Sequence, residues 1–336
     1  MSDRDPKWAL VTGAASGIGR CVARECATRG MHLVLVDINE KGLEETAAQI
    51  RDDQGVEVRC FVQNLAQDDA AEKCLAYCDA EQIEIDFLAN IAGIFLFGPL
   101  VEIDPKRTDL MLDLHVKAVT HMSVLFGQRM KARRFGYIFN MSSMSAWMPM
   151  PGIATYNASK SYVRSVSRSL RIELLPWNVS VTAVCPGGVA TPLLPITDEQ
   201  KALGVRFGIL MRPEKLAKKA VTATLKRKNQ VIPGFLNKLF TLFILLLPDW
   251  LTTVIMKRVP QYDRFWKPAL EPGSESSSDT ASAPDTAPSS DTASAPDMAS
   301  APDTASGSDT ASGSETASGS DTASASEAKP DTDTAA

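Results

Sequence analysis

The sequence predicts an α/β fold, a doubly wound parallel sheet of seven strands, and three features carry that prediction. Apolar runs of strand length alternate with amphipathic stretches of helix length from Trp8 to about Pro233, as they do where parallel strands are joined by crossover helices. The runs are nearly continuous in apolar character, which suits a sheet buried on both faces. A glycine-rich turn follows the first run directly and leads into the first amphipathic stretch.

In chain order, strands are expected at 9–12, 33–37, 56–62, 85–90, 137–142, 179–184 and 230–232, with helices at 17–29, 41–52, 70–81, 108–133 and 155–175. Right-handed crossovers make the doubly wound order the leading topology. Pro176 ends the last of these helices. Cys185-Pro186-Gly187-Gly188 follows the sixth strand, and loops at strand C-termini are where ligands bind in such sheets. Residues 191–208 show no clear period and read as a substrate lid, extending to about 211.

The turn Thr12-Gly13-Ala14-Ala15-Ser16-Gly17-Ile18-Gly19 has the spacing of a dinucleotide-binding, Rossmann-type loop. Gly13 allows a tight turn, Gly17 lets the backbone approach a pyrophosphate, and Gly19 permits close packing of helix on strand. The backbone from Ser16 through Ile18 to Gly19 then offers N–H groups at the positive end of a helix. Asp37 ends the second strand, eighteen residues after Gly19, where a carboxylate bonds both ribose hydroxyls of an adenosine and repels a 2′-phosphate. No arginine follows at 38, and Ser16 stands where a basic residue would meet that phosphate, so NAD is favoured over NADP. Asn64, just past the third strand, is placed to pair with the adenine edge.

Tyr156 and Lys160 are four apart on one helix face. A free tyrosine is a poor base at neutral pH, but a nearby ammonium favours its phenolate and so suits it to exchange a proton with an alcohol. Ser143, at the end of the fifth strand, is delivered to the same crevice and can hold a substrate oxygen.

With the glycine turn, Ser143, Tyr156, Lys160 and Pro186-Gly187 in this order, the chain resembles the short-chain dehydrogenase/reductase family over roughly residues 7–233. The resemblance implies that Tyr156 is the general acid/base. It implies that Lys160 lowers the tyrosine pKa and binds the nicotinamide ribose, and that Ser143 stabilises the carbonyl. It also implies that Pro186, Gly187, Val189 and Thr191 contact the nicotinamide, and that a homodimer or homotetramer forms. The family's Asn-Asn-Ala-Gly appears as Asn90-Ile91-Ala92-Gly93, keeping Asn90, Ala92 and Gly93 near the cofactor. A second departure puts His115 where the family carries an asparagine whose backbone holds a relay water. His115 either serves through its backbone, passes protons through its imidazole, or only packs.

Composition divides the chain into residues 1–235, the catalytic domain, 236–270, a basic and apolar extension, and 271–336, an acidic tail. The tail carries 13 acidic groups and one lysine and repeats a six-residue unit about eight times from Asp279 to Ser326. It has too little to bury to offset chain entropy, so disorder is expected. Residues 1–270 carry 34 basic and 27 acidic groups, a surplus that the net charge of −5 hides. Residues 201–268 hold 14 basic and three acidic residues around the apolar run 239–247. That run is shorter than the ~20 residues a bilayer requires. It reads as a helix over the sheet or a subunit interface, or as a segment (235–256) in peripheral contact with a membrane; a true span is the least favoured reading.

The six cysteines form no Cys-x-x-Cys pair and histidines do not cluster, so neither a metal site nor a disulfide framework is expected. The N-terminus runs into a strand without a secretory apolar region, which points to the cytoplasm, with or without a peripheral membrane contact. The expected activity is interconversion of a secondary alcohol and a ketone on a small hydrophobic substrate such as a steroid, bile acid or lipid. Nucleic acid is not an expected partner. The alternatives are reduction of 3-oxoacyl thioesters and a non-catalytic nucleotide-binding scaffold.

Overall fold

The computed structural model describes residues 7–246 apart from 149 and 195, together with residues 251, 253, 254, 257 and 258. The predictions for the acidic tail 271–336, and those for the extension beyond 246 other than these few residues, lie outside the described residues.

Seven parallel strands form one sheet: β1 (Trp8–Thr12), β2 (His32–Asp37), β3 (Val58–Val62), β4 (Phe87–Asn90), β5 (Gly136–Met141), β6 (Val179–Val184) and β7 (Gln230–Val231). Their order is β3-β2-β1-β4-β5-β6-β7. The winding reverses between β1 and β4, and a crevice opens at the C-terminal ends of these two strands. Leu10 pairs with Val34 on one side and Leu88 on the other, so β1 sits at the centre.

The apolar runs divide residue by residue between two layers, because successive side chains of a strand point to opposite faces. Val11, Leu33, Leu35, Phe87 and Phe139 pack on one face against α1 (Gly17–Ala27), α2 (Glu40–Gln54) and α8 (Pro213–Leu225). Leu10, Val34, Leu88, Ile138 and Val181 pack on the other against α3 (Ala70–Ala80) and α5 (Val119–Arg133), whose Met122, Phe126 and Met130 are fully buried. The long helix α6 (Ala154–Leu174) crosses this second face and ends in a turn containing Pro176.

The helix expected at 108–133 is interrupted. α4 (Pro105–Leu112), begun by the side chain of Asp104 and by a proline at its first position, passes through a π-helical turn at Asp113–Ala118 into α5. Such wide turns occur mostly as single insertions and often at functional sites; this one presents His115, which is 1% exposed. The lid expected to lack a period contains α7 (Asp198–Arg206). It starts with a reciprocal capping box in which Thr197 and Gln200 satisfy each other's backbone N–H groups. α8 was not expected from the sequence, and α9 (Phe235–Leu246) realises the helical reading of the apolar extension.

Two buried polar clusters fix the sheet from within. The Asn90 amide donates to Asn140 Oδ1 at 2.8 Å and to Ser123 Oγ at 3.2 Å, and the Asn140 amide donates to Ser167 Oγ at 3.0 Å. This joins β4, β5, α5 and α6 with the polar groups mutually satisfied. At the other end of β4, the buried Asp86 carboxylate accepts the Lys7 backbone N–H at 2.9 Å and lies 3.5 Å from the Arg133 guanidinium.

Candidate active site

The glycine turn closes on itself as the sequence requires. Gly13 has φ +69° and lies so close to the loop after β4 that an added Cβ would stand 2.9 Å from Ala92 Cα. Gly17 has φ +50° and faces Thr191 from across the crevice. Ser16 caps α1 without a side-chain hydrogen bond, and the first-turn N–H groups of a helix have no intrahelical acceptor. A turn of glycines and small side chains from Gly13 to Gly17, below the first-turn N–H groups of α1, fits the pyrophosphate of a dinucleotide.

The Asp37 carboxylate accepts the Ala15 N–H at 3.0 Å and the Asn39 N–H at 3.0 Å. It is thus fastened to the glycine turn, and a carboxylate has acceptor sites left for ribose hydroxyls. Ile38, beside it, is exposed. The Arg20 guanidinium on α1 is committed to Thr46, Ala15 and Gly42. Asn64 accepts the Ala66 N–H through its Oδ1, which holds the side chain in place with its amide N–H groups and one acceptor lone pair left for an adenine edge.

The loop after β4 is held by Thr12. The Thr12 hydroxyl accepts N–H groups from Ile91 at 2.9 Å and Ala92 at 3.1 Å and donates to the Ala89 carbonyl. Asn90, expected beside the cofactor, directs its side-chain amide N–H groups into the buried cluster with Asn140 and Ser123. Ala92 and Gly93 follow Thr12's grip directly.

Ser143, Tyr156 and Lys160 converge at the end of β5. The Ser143 hydroxyl accepts the Ser145 N–H at 3.1 Å and is hydrogen-bonded to the Tyr156 phenol. Lys160 is buried, and its ammonium donates to the Met141 carbonyl at 3.1 Å and lies 5.6 Å from the centre of the Tyr156 ring. Ser142 donates to the Lys160 carbonyl at 2.7 Å, tying α6 to the strand that carries Ser143. Phe95 stands edge-on to Tyr156 at 5.1 Å.

The ionisation of the pair differs from the expectation that Lys160 draws the phenol pKa down. Burial pushes Tyr156 above its usual value of 10, opposed by the Ser143 hydrogen bond, and burial pulls Lys160 down to about 8. Desolvation disfavours the charged form of each group and is the largest cause of both shifts.

His115 is tied at both ring nitrogens. Nε2 accepts the Ile94 N–H at 3.1 Å, which leaves the proton on Nδ1, 3.0 Å from Ser159 Oγ; Ser159 in turn donates to the Tyr156 carbonyl at 2.8 Å. Burial, with the Lys160 charge, holds the imidazole pKa well below 6.5. Both ring nitrogens thus hold hydrogen bonds that fix the ring in place. A side chain at Gly93 would collide with Nε2.

The loop after β6 completes the crevice. Met144 N–H donates to the Pro186 carbonyl at 2.8 Å, and Val189 bridges to Met211. Gly187 packs so closely on Asn237 of α9 that a Cβ would stand 2.7 Å from its Oδ1. Beside Ser143 opens an apolar cavity of about 700 Å³, walled by Met144, Gly188, residues 207–210 and Asn237, Leu239 and Phe243 of α9. Sequence alone does not single out Ser159 and Asn237; it marks Phe95 only as part of an apolar pocket, and Thr12 only as the start of the glycine turn. Their contacts reach partners 44, 50, 61 and 80 positions away, which no local pattern marks. Among the described residues no group of three or more metal-ligating side chains occurs.

A family model described as short chain dehydrogenase matches residues 7–202. The chain belongs to that family. A probable oxidoreductase, EphD, of Mycobacterium tuberculosis is 34% identical over 233 residues, 65% of this chain and 39% of that protein. The very-long-chain 3-oxoacyl-CoA reductase of Anas platyrhynchos is 34% identical over 195 residues, 56% of this chain and 62% of that protein. The chain therefore spans less than two thirds of the length of either relative. A solved 7beta-hydroxysteroid dehydrogenase is similar at TM-score 0.63 and 25% identity, over 70% of this chain and 90% of that one. Solved chains of like fold are described with NADPH and with NADH.

Proposed function

We propose that the protein is a nicotinamide-dependent oxidoreductase that interconverts a secondary alcohol and a ketone on a bulky apolar substrate, with NAD preferred. The observation that carries this reading is the Ser143, Tyr156 and Lys160 cluster gathered at the end of β5, with the apolar cavity walled by Met144, the residue next to Ser143. The bound nicotinamide supplies or accepts the hydride. In reduction, the Ser143 hydroxyl donates a hydrogen bond to the carbonyl oxygen and the neutral Tyr156 gives it a proton. Lys160 holds positive charge beside the phenolate that results. In oxidation the phenolate takes the proton back.

NAD is supported by Asp37, fixed at the ribose end of the crevice, and by the commitment of Arg20 to α2. A cavity of this size with almost entirely apolar walls suits a steroid, a bile acid or a long chain. The relative that is a 3-oxoacyl-CoA reductase favours a second reading, in which the oxygen reduced is that of a 3-oxoacyl thioester and the chain fills the cavity. A homodimer or homotetramer is supported by exposed apolar side chains on α4, α5 and α6: Leu110, Leu112, Val124, Tyr162 and Ile172. All six cysteines are free, as suits a reducing compartment such as the cytoplasm.

The test is NADH- and NADPH-linked turnover by the full chain over hydroxysteroids, long-chain ketones, 3-oxoacyl thioesters and small alcohols. Turnover of bulky apolar ketones with NADH is expected. Nucleotide binding without turnover of any class would favour the scaffold reading instead.

A further inference from the structure

Exposed apolar residues gather where the cavity opens. Leu203 of α7 is 54% exposed, and Phe207 and Ile209 just beyond it are 68% and 70% exposed. Across the cavity, Phe235, Leu239 and Phe243 of α9 are 81%, 56% and 54% exposed. These three recur every four residues, so they share one face of the helix. Phe207, Ile209, Leu239 and Phe243 also line the cavity, which places both groups at one mouth. Single exposed apolar residues are ordinary, but a group of six around a cavity entrance marks an interaction surface.

Basic residues stand beside them in the chain. Arg206, Arg212 and Lys238 are exposed, and residues 201–268 hold 14 basic against three acidic groups. The acidic residues Asp198 and Glu199 lie at the far, N-terminal end of α7, where Asp198 pairs with Lys201.

We propose that this mouth docks on an anionic lipid surface, with α9 lying in the headgroup plane and the substrate entering the cavity from the bilayer. The docking rests on the surface; the route of entry rests on the apolar substrate proposed above. An apolar helix face flanked by basic side chains is the composition of an interfacial helix, and each basic group near an anionic surface adds to its attraction. No helix among the described residues is long and apolar enough to cross a membrane. A second copy fits less well. A twofold contact would set the patch against itself and bring Arg206, Arg212 and Lys238 toward their own counterparts. The acidic segment 271–336 complements the charge but contains no Leu, Ile, Val or aromatic residue to cover the apolar centre.

The test compares the full-length protein with a Leu203→Glu/Phe235→Glu variant, since neither residue lines the cavity. Flotation with vesicles of phosphatidylcholine, alone or with phosphatidylserine, reads docking; turnover of a water-soluble ketone without vesicles reads the site. The wild-type protein is expected to float with the anionic vesicles and to be released by salt. The variant should lose at least tenfold in partitioning while its melting temperature and soluble turnover stay unchanged. Absence of wild-type flotation, or equal flotation of the variant, overturns the docking. A wild-type dimer that the variant converts to monomer, without flotation of either, identifies a second copy as the occupant. Flotation markedly strengthened by deleting 271–336, with no effect of the two substitutions, identifies the tail. Loss of all ketone turnover with flotation intact would overturn the proposed reaction and leave the docking standing.

Discussion

The imidazole of His115 fills the space into which any side chain at position 93 would project, so the ring in this place requires glycine there. Through Ile94 and Ser159 the same ring links the loop after β4 to the helix that carries Tyr156 and Lys160. The π-helical turn widens α4–α5 at this point and delivers the ring there. We propose on these contacts that His115 is a positioning residue for Tyr156.

The first prediction concerns this pair. Gly93→Ala alone should destabilise the fold by about 1–3 kcal/mol through overpacking. His115→Ala alone should cost about 1–3 kcal/mol by leaving the Ile94 N–H without its acceptor. In the double variant the added methyl enters space the ring has left, so the combined cost should be smaller than the sum. Chemical denaturation of the four proteins measures the coupling; strict additivity would contradict the contact.

His115→Asn should lower kcat by less than tenfold, since an amide can satisfy one of the two partners, and its pH profile should match that of the wild type. A shifted pH profile would mean that the imidazole titrates during turnover.

Tyr156→Phe removes the proton donor but keeps the ring against Phe95. Turnover should fall by at least about 10³-fold, within the range general acid/base groups contribute, while NADH binding measured by fluorescence is retained. Unchanged turnover would eliminate the mechanism.

The pH dependence follows from Lys160. Its pKa is drawn down to about 8, so the free enzyme carries the ammonium below that pH and loses it above. The phenol stays protonated throughout this range. For ketone reduction, kcat/KM should therefore be level below about pH 8 and fall above it as the charge that supports the new phenolate is lost. A profile level to pH 10 would show that the ammonium does not contribute.

Asp37→Asn keeps the hydrogen-bonding shape of the side chain and removes its charge. The ratio of kcat/KM for NADPH to that for NADH should rise about tenfold, equivalent to ~1.4 kcal/mol. No change in the ratio would place the selectivity elsewhere.

Much of this was legible in the sequence because it depends on local spacing. The period of the apolar runs marks buried strands, and a glycine turn after a strand marks the head of α1. Tyr156 and Lys160 are one helical turn apart, and β5 ends at Ser143. What escaped depends on distant partners. The interruption of the helix at 113–118 is invisible to a periodicity argument, because the residues around His115 remain compatible with an unbroken helix. α7 was overlooked although Thr197 and Gln200 have capping-box spacing, since the apolar pattern after them is weak. The side chain of Asn90 faces an asparagine and a serine 50 and 33 positions away, which the motif around it does not reveal. The depressed acidity of Tyr156 arises from burial, which a sequence does not display.

Thr12 gives the molecule its seam. β1 belongs to the half of the sheet that presents the glycine turn and Asp37, and β4 opens the half that presents Ser143, Tyr156 and Lys160. One hydroxyl stitches the end of the first to the backbone of Ile91 and Ala92 in the second. The backbone ladder between β1 and β4 aligns the two halves along the strands, and at their C-terminal ends this one oxygen fixes where the loop after β4 begins. Replacing Thr12 by valine, equal in shape and lacking that oxygen, would loosen the join without emptying the core, and the damage would show as misregistered hydride and proton delivery before it showed as unfolding.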